Sequence, residues 1–205
     1  MLASARPAEP RLLAAGLAAF LLASAAYGLA QRLTSARAVV LPLSALDRAI
    51  PFWPASGWVY LAQFALLAAA FLSLPTAAAR RRFIAAGWVM QALAIACFLG
   101  WPVRFPRELF NLPADTPAMH AQLVDWVRGA DQPVNCLPSL HAANAVLCVA
   151  ALARGAARRW WLALLPLALA CIVSTLTFKQ HYVADVVAGL ALGAAVSWFF
   201  WRRAP

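Results

Sequence analysis

The chain has 205 residues, of which 64% are apolar and 12% charged, whereas soluble globular chains run at roughly 45–50% and 25%. That composition excludes a water-soluble domain, and the lack of long polar tracts excludes an extended disordered one. Seventeen basic residues against seven acidic ones give a net charge of +10, so the placement of the cations decides between a nucleic-acid partner and a membrane signal.

Six apolar runs are long enough to cross a bilayer, which takes about 17–20 residues each. They are Leu12–Ala30, Trp58–Leu74, Phe83–Trp101, Leu137–Ala153, Trp160–Phe178 and Val183–Trp201. The first follows Arg6 and Arg11 and carries small residues at Ala23, Ser24, Ala25 and Ala26. That pattern also fits a cleaved signal peptide, but the run continues to Ala30 and reads as an uncleaved anchor. Between the first and second runs, residues 34–57 hold Pro42, Pro51 and Pro54 with Phe52, Trp53, Trp58 and Tyr60 nearby. Such a stretch reads as a segment at headgroup level, or simply as an anchoring belt.

The second and third runs are joined by TAAARRR and the fourth and fifth by ARGAARR, short turns without chemistry-bearing side chains. The longest connection, Pro102–Asn135, is predicted to contain a short helix with Met119, Leu123, Trp126 and Val127 on one face, resting on the membrane or capping a cavity. The expected fold class is therefore all-α. It is an integral membrane bundle of six transmembrane helices with short interfacial helices in the outer loops, and a single domain over residues 1–205.

Alternate connections carry very different charge. One side holds Arg6, Arg11, Arg80, Arg81, Arg82, Arg154, Arg158, Arg159, Arg202 and Arg203 with Glu9 as the one acid, net +9. The other holds Arg32, Arg37, Arg48, Arg104, Arg107, Arg128 and Lys179 with six acids, net +1. The positive-inside rule places both termini in the cytoplasm and the long 102–135 loop outside. The basic excess is then a topology signal, and nucleic acid is not an expected partner. Of four cysteines, Cys97, Cys148 and Cys171 lie within runs, so no disulfide framework follows, and Cys136 reads as a small packed residue.

Ionisable groups at membrane depth usually face an interior or a wet cavity. Two of the three histidines meet that description: His141 in NCLPSLHAAN and His181 in STLTFKQHYVADVVAG. His120 lies in the outer loop and reads as a surface residue. His181 and Asp185 are four apart, so a helix beginning near Gln180 would place them on one face. A carboxylate there fixes the imidazole tautomer and leaves the other nitrogen free to attack. Lys179 adds a cation on approach, and the guanidiniums of Arg104 and Arg107 in WPVRFPR suit phosphate oxygens. Snorkelling of these arginines to lipid headgroups is the alternative.

PSLH at Pro138–His141 and HYVAD at His181–Asp185 resemble the second and third signatures of the type 2 phosphatidic acid phosphatase superfamily, over a stretch from about Ile50 to the last run, a motif-bearing core of about 50–201. Leu140 stands where the second signature has glycine, Thr175 follows Ser174 where arginine is usual, and no lysine stands seven residues before Arg104 or Arg107. These departures, with IPFWP at Ile50–Pro54, resemble the branch that includes the inositol phosphorylceramide synthases. The resemblance implies that His181 attacks phosphorus to give a phosphohistidine, Asp185 orients it, and His141 protonates the leaving oxygen. Ser139, Lys179, Arg107 and Arg104 would hold the phosphate.

It further implies a lipid phosphatase or lipid phosphotransferase at the outer face. Its substrate would be a lipid phosphate in the bilayer, with a lipid alcohol as acceptor if the reaction is transfer. No metal and no cofactor are expected, because phosphoryl transfer needs chiefly positioning and charge stabilisation, although a His141, His181, Asp185 set would also suit zinc. The competing classes are a transporter with a polar intramembrane path and a non-catalytic membrane protein. Against the first, the ionisable groups gather at one face instead of crossing the membrane.

Overall fold

The computed structural model describes residues 10–154 and 161–202. Arg6, Glu9, Arg158, Arg159, Arg203 and the Trp160 end of the fifth apolar run lie outside the described residues. Helix α1 spans Pro10–Thr34 and opens on a proline, which suits the first helical position because its missing N–H has no partner there. A 3-10 turn, Ser35–Arg37, leads to strand β1, Val39–Val40, which pairs in parallel with β2, Val103–Arg104. Helix α2, Ala45–Ala49, is held by a capping box: Ser44 accepts the Asp47 N–H while Asp47 accepts the Ser44 N–H.

Helices α3, Ser56–Ser73, and α4, Ala77–Gly100, follow, the latter capped by Thr76. Helix α5 is Ala118–Ala130, α6 Leu140–Leu152, α7 Trp161–Thr177 and α8 Val183–Trp201. Among the described residues, α1, α3, α4 and α8 are long and apolar enough to cross a membrane. Where six runs of spanning length are expected, α6 and α7 are shorter apolar helices. The fourth run loses its start because Leu137 and Pro138 belong to a loop and Ser139 to the cap of α6. Thirteen residues rise only about 20 Å. Among the described residues, the two-residue ladder of β1 and β2 is the one strand pairing added to the all-α expectation.

Helix α6 is the centre of the bundle, packed against α3, α4, α7 and α8. Its sequence LHAANAVLCVAAL permits this, since Ala142, Ala143, Ala145, Cys148 and Ala151 are all fully enclosed and let neighbours approach closely. The closest approach is from α8. A Cβ on Gly193 would stand 2.6 Å from the Ala143 carbonyl oxygen, and one on Gly189 would be driven into the Ser139 carbonyl. Gly189→Ala should therefore push α8 away from the start of α6 and so separate His141 from the segment that carries His181. The expected cost is about 1–3 kcal/mol of stability, with turnover falling more than the folded fraction. Thermal unfolding and activity of the purified variant check this, and an unchanged melting curve would contradict it.

The face of α5 differs from the expected stripe. Leu123, Val124 and Val127 are buried against Tyr60 and Phe178, while Met119 and Trp126 are 59% and 62% exposed. The helix is turned toward α3, so the residue between the expected positions, Val124, takes the place of Met119.

Candidate active site

Helix α7 ends on a left-handed residue, and that reversal aims the segment carrying His181. Lys179 has φ 56, a conformation usually reserved for glycine after a helix. The reversal lets the N–H groups of Gln180 and His181 both reach the Thr175 carbonyl, at 2.9 and 3.2 Å. The lysine holds its strained backbone through its side chain. Nζ donates to the carbonyls of Asp47 (3.0 Å) and Ile50 (2.5 Å) and lies 4.2 Å from the centre of the Phe110 ring. Burial pushes this ammonium's pKa down, with Asp47 pulling the other way.

Helix α8 begins at Val183, not near Gln180, so His181 precedes it instead of lying on its face. Asp47 sets that start by accepting the Val183 N–H at 2.8 Å. Within the first turn Asp185 Oδ2 accepts the Tyr182 N–H at 2.9 Å and lies 3.3 Å from His181 Nδ1. Asp185 is wholly buried, and its Oδ1 has no partner. With Nδ1 protonated and donating to the carboxylate, the lone pair of the imidazole is on Nε2.

Ser139 joins the two motifs through the backbone, its N–H donating to the Asp185 carbonyl at 2.9 Å. Its hydroxyl accepts the Ala142 N–H at 3.4 Å as the cap of α6, and the residue is fully buried. Two positions on, His141 stacks face to face on Tyr60, ring centres 3.9 Å apart at 17°. The His141 and His181 rings are 6.5 Å apart, and His141 Nε2 has no partner.

The cations differ in how they are held. Arg107 is 6% exposed and donates to the Asp131 carbonyl at 2.5 Å and to the Gln180 side chain, which places it beside the residue preceding His181. Arg104 is forked onto Glu108 at 2.7 and 3.0 Å near the surface. The structure thus brings together His141, His181, Asp185 and Ser139, with Arg107 adjoining. Lys179 and Arg104 have their polar atoms occupied elsewhere.

Asp131 carries no functional reading in the sequence, and Tyr60, expected at headgroup level, is instead buried inside the bundle. The Asp131 carboxylate accepts from the hydroxyls of Tyr27 and Tyr60, each at 3.2 Å, and from Gln31 Nε2, and stands 3.9 Å from Arg107. It ties α1, α3 and the end of α5 together beside the ring that stacks on His141. An isolated acid at the end of a loop gives no local pattern, so nothing in its neighbours along the chain marks it. Cys136 Sγ is equally hidden. It lies against the backbone at Pro133 (3.2 Å) and Gln180 (3.7 Å), and burial with nearby Asp185 pushes its thiol pKa well up.

A cavity of about 720 Å³ is lined by His141, His181, Asn144 and Asp131 together with apolar residues of α1, α3 and α4, among them Leu17, Phe20, Phe64, Phe71 and Trp88. The bundle of apolar helices thus encloses a large apolar cavity with two histidines in its wall. The sequence profile of the PAP2 superfamily matches residues 40–199. The chain therefore belongs to the PAP2 superfamily, which makes it a phosphatase-type membrane enzyme acting on a phosphate ester. No curated protein and no solved structure matches it. The match begins at residue 40, ten residues before the stretch legible in the motifs, and takes in Val40 of β1 and the Ser44–Asp47 cap that fixes the start of α8.

Proposed function

We propose that the protein is a lipid phosphatase or lipid phosphotransferase working through a phosphohistidine. The observation that carries this reading is the cavity, whose walls suit an acyl or prenyl chain and whose lining includes both histidines. His181 Nε2 attacks phosphorus, with Asp185 holding the ring and stabilising the imidazolium character that develops. His141 gives its proton to the departing lipid oxygen. In the second step it takes a proton from the water or lipid hydroxyl that attacks the phosphohistidine. Hydrolysis and transfer differ only in that second hydroxyl.

Arg107 is the first candidate for the phosphate oxygens, because it is buried next to Gln180 and its Nε has no partner. Ser139, Lys179 and Arg104 complete the proposed set, and the last two would have to leave their present partners to reach a phosphate. The branch resembling inositol phosphorylceramide synthases rests on the motif departures at Leu140 and Thr175, the missing lysine before Arg104 and Arg107, and IPFWP at Ile50–Pro54, and the family match does not distinguish it. A panel of labelled lipid phosphates, offered to the purified protein with and without a lipid alcohol, tests the reading. Release of phosphate marks a phosphatase and labelled acceptor a transferase, while no turnover of any member counts against both.

The charge asymmetry puts both termini in the cytoplasm and the site at the outer face. Ala114, exposed in the long loop, is a suitable probe. A cysteine placed there should react with an impermeant reagent in intact cells, and reaction only after permeabilisation would invert the orientation. Turnover is also expected to persist in EDTA and to fall with vanadate, because the proposed site supplies its own cations. Loss on chelation with recovery on adding zinc would point to a catalytic metal.

A further inference from the structure

Cys136 takes no part in the chemistry above, yet it is 1% exposed and lies beside the proposed nucleophile His181 and the Asp185 that would orient it. Its Sγ, a ring nitrogen of His181 and a carboxylate oxygen of Asp185 all lie within 4.8 Å of one another. The three come from the loop before α6, the entry to α8 and its first turn, so the cluster exists only in the folded chain. Ligands held 2.0–2.3 Å from a tetrahedral zinc sit about 3.3–3.6 Å apart. His181 Nδ1 and Asp185 Oδ2, at 3.3 Å, already form one such edge. The edges to the thiol are no longer than 4.8 Å, so a shift of at most about 1.5 Å completes them.

A second observation points to a cation. Asp185 Oδ1 belongs to a fully buried side chain and has no hydrogen-bond partner. A carboxylate oxygen left without a donor away from water is costly, and a cation held by both oxygens of Asp185 would satisfy it. Charge agrees as well, since one thiolate, one carboxylate and one neutral imidazole offset a divalent ion and leave the buried complex neutral. Sulfur among the ligands selects a thiophilic metal over magnesium or calcium.

We propose that Cys136, His181 and Asp185 form an inhibitory binding site for a thiophilic divalent cation such as Zn²⁺ or Cd²⁺. On binding, the Cys136 S–H bond breaks, a sulfur–metal bond forms, and the proton leaves to solvent. The metal takes the Nδ1 lone pair of His181, so the ring's one proton resides on Nε2. An Nε2 that carries hydrogen has no lone pair with which to attack phosphorus, and Asp185 is drawn from the ring to the metal. Inhibition rests on the proposed phosphohistidine reading, whereas metal binding does not. The cluster also differs from the zinc set suggested by the sequence, since His141 is not part of it.

The test uses purified full-length protein in detergent, with Cd²⁺ as a spectroscopic probe and Zn²⁺ in the activity assay. Wild type should show a thiolate-to-cadmium absorption band saturating at one equivalent. The Cys97→Ala, Cys148→Ala, Cys171→Ala triple variant should keep that band, and Cys136→Ala should lose it. Cys136→Ser, closer in volume, gives the same reading if the alanine variant aggregates. In the assay, Cys136→Ala should retain basal turnover and need about tenfold or more Zn²⁺ for half inhibition. A band that survives Cys136→Ala, or a folded wild type without one, overturns the site, and equal zinc inhibition of the two proteins overturns its inhibitory role. If no lipid phosphate is turned over at all, the band still reports the site, which separates failure of this inference from failure of the enzymatic one.

Discussion

His181→Ala is expected to abolish turnover of every substrate, activated or not, by at least about 10⁴-fold. The reason is covalent. His181 contributes the proposed nucleophilic nitrogen, and Asp185, 3.3 Å from Nδ1, has nothing to orient once the ring is gone. A drop of that size corresponds to about 5.5 kcal/mol of lost transition-state stabilisation. The side chain is 8% exposed and its removal leaves a void, so circular dichroism and gel filtration of the same preparation must show a folded bundle. Turnover within about tenfold of wild type would mean that the attacking group is elsewhere.

His141→Ala should behave differently, and the difference is diagnostic. A general acid contributes about 10²–10⁴-fold when the leaving group needs a proton. A lipid alkoxide needs one and nitrophenolate does not, so the variant should lose the full factor on a lipid phosphate and less than about tenfold on nitrophenyl phosphate. Loss of the ring also removes the stack on Tyr60 at 3.9 Å, and the nitrophenyl substrate serves as the internal control for that damage. Equal losses on both substrates would remove the acid role. Asp185→Asn should fall between the two histidine variants, since the amide keeps the shape but not the charge facing the imidazole.

How far the site was legible follows from the separation of its residues along the chain. The His181–Asp185 contact spans four positions, and a spacing of four is readable wherever the chain approaches a helix. The contact forms although α8 starts three residues later than expected, because Asp47, far away in sequence, caps Val183. Tyr60 on His141, the Asp131 hub and Cys136 beside His181 are contacts between distant segments without a repeating pattern, and no local rule brings them together. The cations show the converse. Lys179 and Arg104 carry charge at positions that invite a phosphate reading, yet one holds a left-handed turn and the other pairs with Glu108.

The fold divides in the same way. Apolar composition marks the helices, since lipid requires backbone groups to be satisfied within each segment. Their ends depend on caps and loops instead: Ser139 starts α6 late, and α7 continues through Pro166 where a soluble helix would break. The turn of α5 toward Tyr60 and Phe178 is decided by its partners, which hydrophobic periodicity does not identify.

The covalent intermediate is the most direct point of attack. Purified enzyme would be mixed with a radiolabelled lipid phosphate, quenched in alkali, where phosphohistidine survives, then digested and the label located by mass spectrometry. The account predicts phosphate on His181, lost on acid treatment, and no labelled peptide from His181→Ala. Label on any other residue, or a trapped phosphoenzyme in His181→Ala, would contradict it.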